Sequence, residues 1–381
     1  MSLRVLVVED SAVFRRVIQD ALRKIPGIEI IGTAGTGHLA LSKIREAKPD
    51  LVTLDIELPD MTGLQVLDEL RQYNLLPGVI VVSALTSRGG KLSMSAIEKG
   101  AMDFITKPEG GNFEENCQAL FTSLEPLVRG FIRRQEIRSI LRAKPSGASE
   151  QSSILPKSSA QEPSHLDNVA ERMRRLENSQ KPQMVLIGVS TGGPVALGEL
   201  LPMLPGDLQV PIFIVQHIPP LFTKPLVERL QLKCRMKVKE AENGEFAQPN
   251  VAYISPGGVH LRLSKNANSR IILQLTDEPP ENNCRPSVDV LFRSAAHLFP
   301  GQGMPIILTG MGSDGTIGLR LLKRHPCWSI AQDEATCAVF GMPKAAIESG
   351  IIDQVLPLQD IASAIVSRIR LAFPRPQGTR I

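Results

Sequence analysis

Aromatic residues make up only 4% of the 381 residues, and lysine and arginine are spread along the chain despite a net charge of +4. A stacking platform or basic stripe for nucleic acid is therefore poorly supported. Cysteine is scarce as well. Cys117, Cys234, Cys284, Cys327 and Cys337 form no CxxC pair and follow no zinc-ligand spacing with the six histidines. An odd count without a paired framework points to reduced, mostly buried thiols in a reducing compartment. Long apolar runs are missing too: Val5-Leu-Val-Val8 ends at Glu9-Asp10, short of a signal-peptide core, and nothing else is long enough to span a bilayer. A cytoplasmic protein with no membrane insertion is expected.

What is present is a repeated alternation of short β-branched runs with amphipathic stretches. It begins at Val5–Val8 and Ala12–Lys24 and continues through Ile28–Gly32, Leu51–Leu54, Val79–Val82 and Phe104-Ile105. Strands alternating with helices imply βαβ units and a parallel sheet. From about Lys144 to Lys181 the composition turns to Ser, Gln, Pro, Lys and Glu, which cannot bury enough apolar area to offset ordering. That stretch reads as a flexible linker, with one helical patch around Val169 to Leu176. The alternation resumes at Met184–Val189 and continues through Ile212–Gln216, Val251–Ser255, Pro305–Thr309 and Trp328–Gln332, so a second α/β domain is expected to run to about Phe373.

In a parallel sheet, ligands bind beyond the carboxyl ends of the strands. In the amino-terminal half those ends carry Glu9-Asp10, Asp55, Ser83 and Lys107. One Asp at a strand end is as readily a helix cap as a reactive group. Five matched groups at successive ends are better explained as one acidic pocket, in which Mg²⁺ and Lys107 neutralise phosphoryl oxygens and a remaining carboxylate attacks phosphorus.

The segment resembles the receiver domain of two-component response regulators over roughly residues 3 to 125. The resemblance rests on Glu9-Asp10, Asp55, the Pro59-x-Met61-x-Gly63 turn, Ser83 and Asp103-Phe-Ile-Thr-Lys-Pro108. It implies that Asp55 is phosphorylated by a histidine kinase, that Glu9, Asp10, Asp55 and the Glu57 carbonyl hold Mg²⁺, and that Ser83, Phe104 and Lys107 form the switch. Thr62 stands where many receivers carry Asp.

In the second half, Met184–Val189 runs into Gly188-Val-Ser-Thr-Gly-Gly-Pro194, a nucleophile-elbow pattern centred on Ser190. A phosphate-cradling loop is the competing reading, because Gly192-Gly193 also opens a helix. His217 at the end of Ile212–Gln216 and Asp314 in Thr309-Gly-Met-Gly-Ser-Asp-Gly315 fall on the same rim, which favours nucleophile, base and orienter. Backbone N–H groups near Met311 or Thr191 would bind the oxyanion. His260, His297 and His325 read as structural. Arg285 and Arg293 read as surface groups that could also steer an acidic helix.

These motifs resemble the catalytic domain of the chemotaxis protein-glutamate methylesterases, the CheB family. The resemblance covers Ser190-Thr-Gly-Gly-Pro194, Val215-Gln-His-Ile-Pro-Pro220, Ser255-Pro-Gly-Gly-Val-His260, Arg285–Arg293, Thr309–Gly315 and Ala331-Gln-Asp-Glu-Ala-Thr336. It implies a flavodoxin-like receiver (1–125), a linker (126–181), a doubly wound parallel α/β methylesterase domain (182–373) and a short tail (374–381). It also implies a Ser190, His217, Asp314 triad acting without a cofactor on glutamate γ-methyl esters of chemoreceptor cytoplasmic helices. Some members also deamidate glutamine by the same acyl chemistry. An esterase or amidase acting on a protein outside chemotaxis is the alternative. The receiver is expected to pack across the Ser190 rim until phosphorylation weakens that packing.

Overall fold

The computed structural model describes residues 2–72, 77–143 and 181–372. The expected helical patch at Val169 to Leu176 and the tail at 374–381 lie outside the described residues. The amino-terminal sheet comprises β1 (Leu3–Val8), β2 (Ile28–Ala34), β3 (Leu51–Asp55), β4 (Gly78–Ser83) and β5 (Asp103–Thr106), in the parallel order β2-β1-β3-β4-β5. Its helices are α1 (Ala12–Arg23), α2 (Gly37–Ala47), α3 (Gly63–Gln72), α4 (Ser87–Glu98) and α5 (Phe113–Ala143). Side-chain caps begin three of them: Ser11, Thr36 and Thr86 accept from Phe14, Leu39 and Gly89 N–H. Helix α5 continues without a break through residue 125.

The second domain has a seven-stranded parallel sheet in the order β14-β13-β12-β6-β7-β9-β8. Its strands are β6 (Met184–Val189), β7 (Ile212–Gln216), β8 (Lys237–Glu240), β9 (Val251–Ile254), β12 (Gly303–Ile307), β13 (Ile330–Gln332) and β14 (Gln354–Leu356). Every residue of β6, β7 and β12 is buried, as expected of central strands covered on both faces. The helices are α6 (Gly193–Leu200), α7 (Pro220–Lys233), α8 (Val288–Leu298), α9 (Thr316–Leu322), α10 (Met342–Glu348) and α11 (Leu358–Ala372). The antiparallel hairpin β10 (His260–Lys265) and β11 (Ile271–Thr276) stands outside the parallel pattern. The edge strands β8 and β14 are short and only partly apolar, so their alternation is weak in the sequence.

The strand order reverses between β6 and β12, and β7 adjoins β6. The crevice of such a sheet opens at that reversal. Ser190, His217 and Asp314 follow β6, β7 and β12 respectively, so the topology delivers all three to one rim. Among the described residues no helix is long and apolar enough to cross a membrane.

Candidate active site

The receiver pocket is built from strand ends. Asp55 is the last residue of β3 and is buried, as are Glu9 beyond β1 and Ser83 at the end of β4. Gly63 lies so close to the Asp55 carbonyl that a Cβ there would collide with it, which explains the glycine in the Pro59-x-Met61-x-Gly63 turn. Lys107 Nζ reaches Asp55 Oδ2 at 2.8 Å and Glu9 Oε1 at 3.0 Å. Burial and the neighbouring Asp55 push the Glu9 pKa up to about 7. Burial also raises Asp55 against the opposing pull of Lys107.

Carboxylate oxygens of Glu9, Asp10 and Asp55 lie within 4.8 Å of one another. Three acids facing one ammonium leave the pocket short of positive charge, and an all-oxygen donor set of that kind fits Mg²⁺. The Glu57 N–H donates to Asp55 Oδ1 at 3.2 Å, placing its peptide against the same carboxylate. Ser83 Oγ contacts the carbonyls of Ala84 and Gly89 at 3.4 Å, which ties the pocket to the first turn of α4.

In the second domain, Ser190 sits in the turn between β6 and α6. Its N–H donates to Thr309 O at 3.0 Å, and its carbonyl accepts from Gly193 N–H at 2.8 Å and from Gln216 Nε2 at 2.9 Å. Gly192 has φ +77° with the Ala338 side chain against it, so the turn requires a residue without Cβ. His217 continues β7, its N–H bonded to Val189 O at 3.1 Å. His217 Nε2 lies 2.8 Å from Asp314 Oδ2.

Asp314 is gripped by the start of α8. It accepts from Ser287 Oγ at 2.8 Å, Val288 N–H at 2.7 Å, Asp289 N–H at 3.0 Å and Asn282 Nδ2 at 3.0 Å. A helix amino terminus stabilises an anion, and although burial opposes it, the His217 hydrogen bond and these donors hold Asp314 well below the usual carboxylate range. Burial likewise opposes His217, but its hydrogen bonds with Asp314 and Cys284 outweigh it and the imidazole is pushed up to about 9. With Nε2 committed to Asp314, Nδ1, which has Cys284 Sγ at 3.5 Å, is the nitrogen left for proton transfer.

Ser190, Thr191, His217 and Met311 line one cavity of about 240 Å³. Among the described residues no hydrogen bond joins Ser190 Oγ to His217, as is common before substrate arrives. Thr191 and Met311 line the same cavity, and no hydrogen bond engages either N–H among the described residues. Helix α5 and β5 of the receiver close the other side of the cavity through Phe104, Thr106, Ser123 and Pro126. Asp103 Oδ2 accepts the Gly192 N–H at 2.6 Å, two residues beyond Ser190, and burial pushes the Asp103 pKa up to about 6. The Phe104 ring stacks on Phe222 with centroids 4.9 Å apart. Ion pairs from Glu98 to Arg229 and from Arg133 to Glu334 flank this contact.

The structure brings Glu9, Asp10, Asp55 and Lys107 together in the receiver and His217 against Asp314 in the second domain, with Ser190, Thr191 and Met311 lining the same cavity as His217, whereas Phe104 lies on the esterase domain and Ser83 is bonded to the Ala84 and Gly89 carbonyls. Sequence reasoning missed Ser287, Asn282, Cys284 and the bridging role of Asp103. A signal for Ser287 existed, since Pro-Ser before Val288–Leu298 has the form of a helix start. His260 is structural as read: it is fully buried and bonded to Pro279 O and Ser287 N–H. Arg293 is engaged with Glu281, and Arg285 with the Asp277 and Glu278 carbonyls.

A family model described as "CheB methylesterase" matches residues 185–365, and one described as "Response regulator receiver domain" matches residues 5–116. A protein of Desulfotalea psychrophila named protein-glutamate methylesterase/protein-glutamine glutaminase is 45% identical over 372 residues, covering 97% of this chain and 99% of its own length. A protein of the same name from Halalkalibacterium halodurans is 42% identical over 368 residues, covering 97% and 99%. The crystal structure of the Thermotoga maritima CheB methylesterase catalytic domain is 43% identical and covers 49% of this chain and 98% of that chain, with a TM-score of 0.48. With relatives this similar across nearly its whole length, the chain belongs to the protein-glutamate methylesterase/protein-glutamine glutaminase family, in which a receiver precedes the CheB methylesterase domain.

Proposed function

We propose that this chain hydrolyses glutamate γ-methyl esters on the cytoplasmic helices of chemoreceptors, releasing methanol, and that phosphorylation of Asp55 raises its rate. The carrying observation is that Ser190 and the Asp314-held His217 open into one cavity that the receiver covers. In this reading Ser190 Oγ attacks the ester carbonyl while His217 Nδ1 takes its proton, and the Thr191 and Met311 N–H groups receive the oxyanion. His217 then gives the proton to departing methanol. Water, deprotonated by the same imidazole, releases the glutamate carboxylate and restores Ser190. Glutamine side chains would be deamidated by the same sequence, with ammonia leaving. Methanol release from methylated receptor membranes tests the substrate; activity only on other protein esters would refute it.

In the receiver, Asp55 would take the phosphoryl group from a histidine kinase, with Lys107 against its carboxylate. Mg²⁺ held by Glu9, Asp10, Asp55 and the Glu57 carbonyl would supply charge to the phosphoryl oxygens. Ser83 contacts α4 and Phe104 lies on the esterase domain, so a change at Asp55 has a short physical route to the cover. Asp55→Asn is expected to keep basal methanol release and lose all stimulation by a small phosphodonor. Stimulation that survives in this variant would place the acceptor elsewhere. We also take the receiver as residues 1–125, the linker as 126–181 with a helical start to which the run of α5 on to Ala143 corresponds, and the esterase domain as 182–373.

The pH dependence follows from the base. His217 works only when neutral, and Asp314 raises its pKa, so kcat/KM should climb with pH through a midpoint above the ordinary value of about 6.5. Asp314→Asn removes the charge and should move that midpoint down while lowering kcat. Rate profiles of methanol release with and without the substitution would check this, and an unmoved midpoint would contradict the coupling.

A further inference from the structure

Cys284 has no part in the proposed reaction, yet its Sγ lies 3.5 Å from His217 Nδ1, the nitrogen that Asp314 leaves free. We propose that Cys284 and His217 form a chelating site for a thiophilic divalent cation of the zinc class, and that the bound ion arrests ester hydrolysis by occupying Nδ1.

The separation of the two donor atoms is the first argument. A tetrahedral zinc ion with bonds of about 2.0 Å to nitrogen and about 2.3 Å to sulfur holds those atoms roughly 3.5 Å apart. The two donors therefore already stand at the bite such an ion requires. The second argument is the far side of the ring. Histidines that ligate metals commonly give their other N–H to a carboxylate, which fixes the tautomer and orients the ring. Asp314 does this at 2.8 Å, and its own oxygens are taken up by Ser287, Val288, Asp289 and Asn282. Although Asp314 lies within 4.8 Å of the donor pair, it acts as the outer carboxylate and water completes the coordination.

The thiol is also held in place. Residues 281 and 284 exchange two backbone hydrogen bonds, Glu281 N–H to Cys284 O at 3.1 Å and Cys284 N–H to Glu281 O at 2.9 Å. Arg293 braces the Glu281 carboxylate. Cys117, Cys327 and Cys337 are buried, whereas Cys284 is half-buried with an imidazole nitrogen at 3.5 Å. Ligation is balanced by loss of the thiol proton to solvent, so occupancy rises with pH. Binding is independent of the reaction; arrest rests on His217 being the base proposed above.

The test uses the full chain carrying Ser190→Ala, with Cd²⁺ as the probe for its thiolate-to-metal charge-transfer absorption. One equivalent of Cd²⁺ should produce the band, and adding Cys284→Ser should abolish it and weaken Zn²⁺ binding at least tenfold, while adding Cys234→Ser should leave both intact. A band that survives Cys284→Ser, or that disappears with Cys234→Ser, would overturn the site. Zn²⁺ should also protect Cys284 of the unmutated chain from alkylation by iodoacetamide, read by peptide mass; alkylation unaffected by Zn²⁺ would overturn it without any variant. Zn²⁺ should inhibit methanol release reversibly, with activity restored by a chelator. Zn²⁺ binding at Cys284 that leaves turnover unchanged would overturn the arrest and, with it, the role of His217 Nδ1.

Discussion

Ser190→Ala should reduce methanol release by about four orders of magnitude or more, since removing the nucleophile of a Ser-His-Asp set leaves only binding and oxyanion stabilisation. The substitution deletes one oxygen from a turn whose shape is fixed by backbone bonds to Thr309, Gly193 and Gln216, so the fold should not change. Unaltered circular dichroism and Tm would show that the loss is chemical. A fluorophosphonate should label the unmutated chain at Ser190 and leave the variant unlabelled. Full turnover by the variant would dismiss Ser190 as nucleophile.

The second large effect concerns the cover. A chain reduced to residues 181–381 should exceed the unphosphorylated full chain in specific activity by roughly tenfold or more, the ratio that about 1.4 kcal/mol of domain docking produces. The fragment keeps nearly all of its own core, because among the described residues Met94 is the one buried apolar residue of the receiver in its hydrophobic clusters, with Leu85 and Phe104 partly buried against them. What it loses is the lid: Phe104 on Phe222, Asp103 on the Gly192 N–H, and the α5 wall of the cavity. Asp103→Ala in the full chain should give a smaller rise in the same direction. Equal specific activity of fragment and full chain would sink the idea of an inhibitory cover.

Much of both pockets was legible because the chemistry sits where strands end. Val5–Val8, Leu51–Leu54 and Met184–Val189 announce themselves as buried strands, and the residue following each run must appear on the carboxyl rim of a parallel sheet. Asp55 on the first rim and Ser190, His217 and Asp314 on the second are therefore legible in the sequence. The hairpin of β10 and β11 and the short edge strands were less visible, since partly exposed strands carry little apolar alternation.

The sequence by itself determined two α/β domains, the order receiver then hydrolase, and the residues on each rim, because strand periodicity and strand ends are local properties of the chain. Tertiary structure decided which imidazole nitrogen Asp314 holds, that the start of α8 grips that carboxylate, that Cys284 lies against the free nitrogen, and that Asp103 reaches the Gly192 amide 89 residues away. Those contacts join segments distant in sequence, and they are fixed by how helices and domains dock rather than by any repeating pattern of residues.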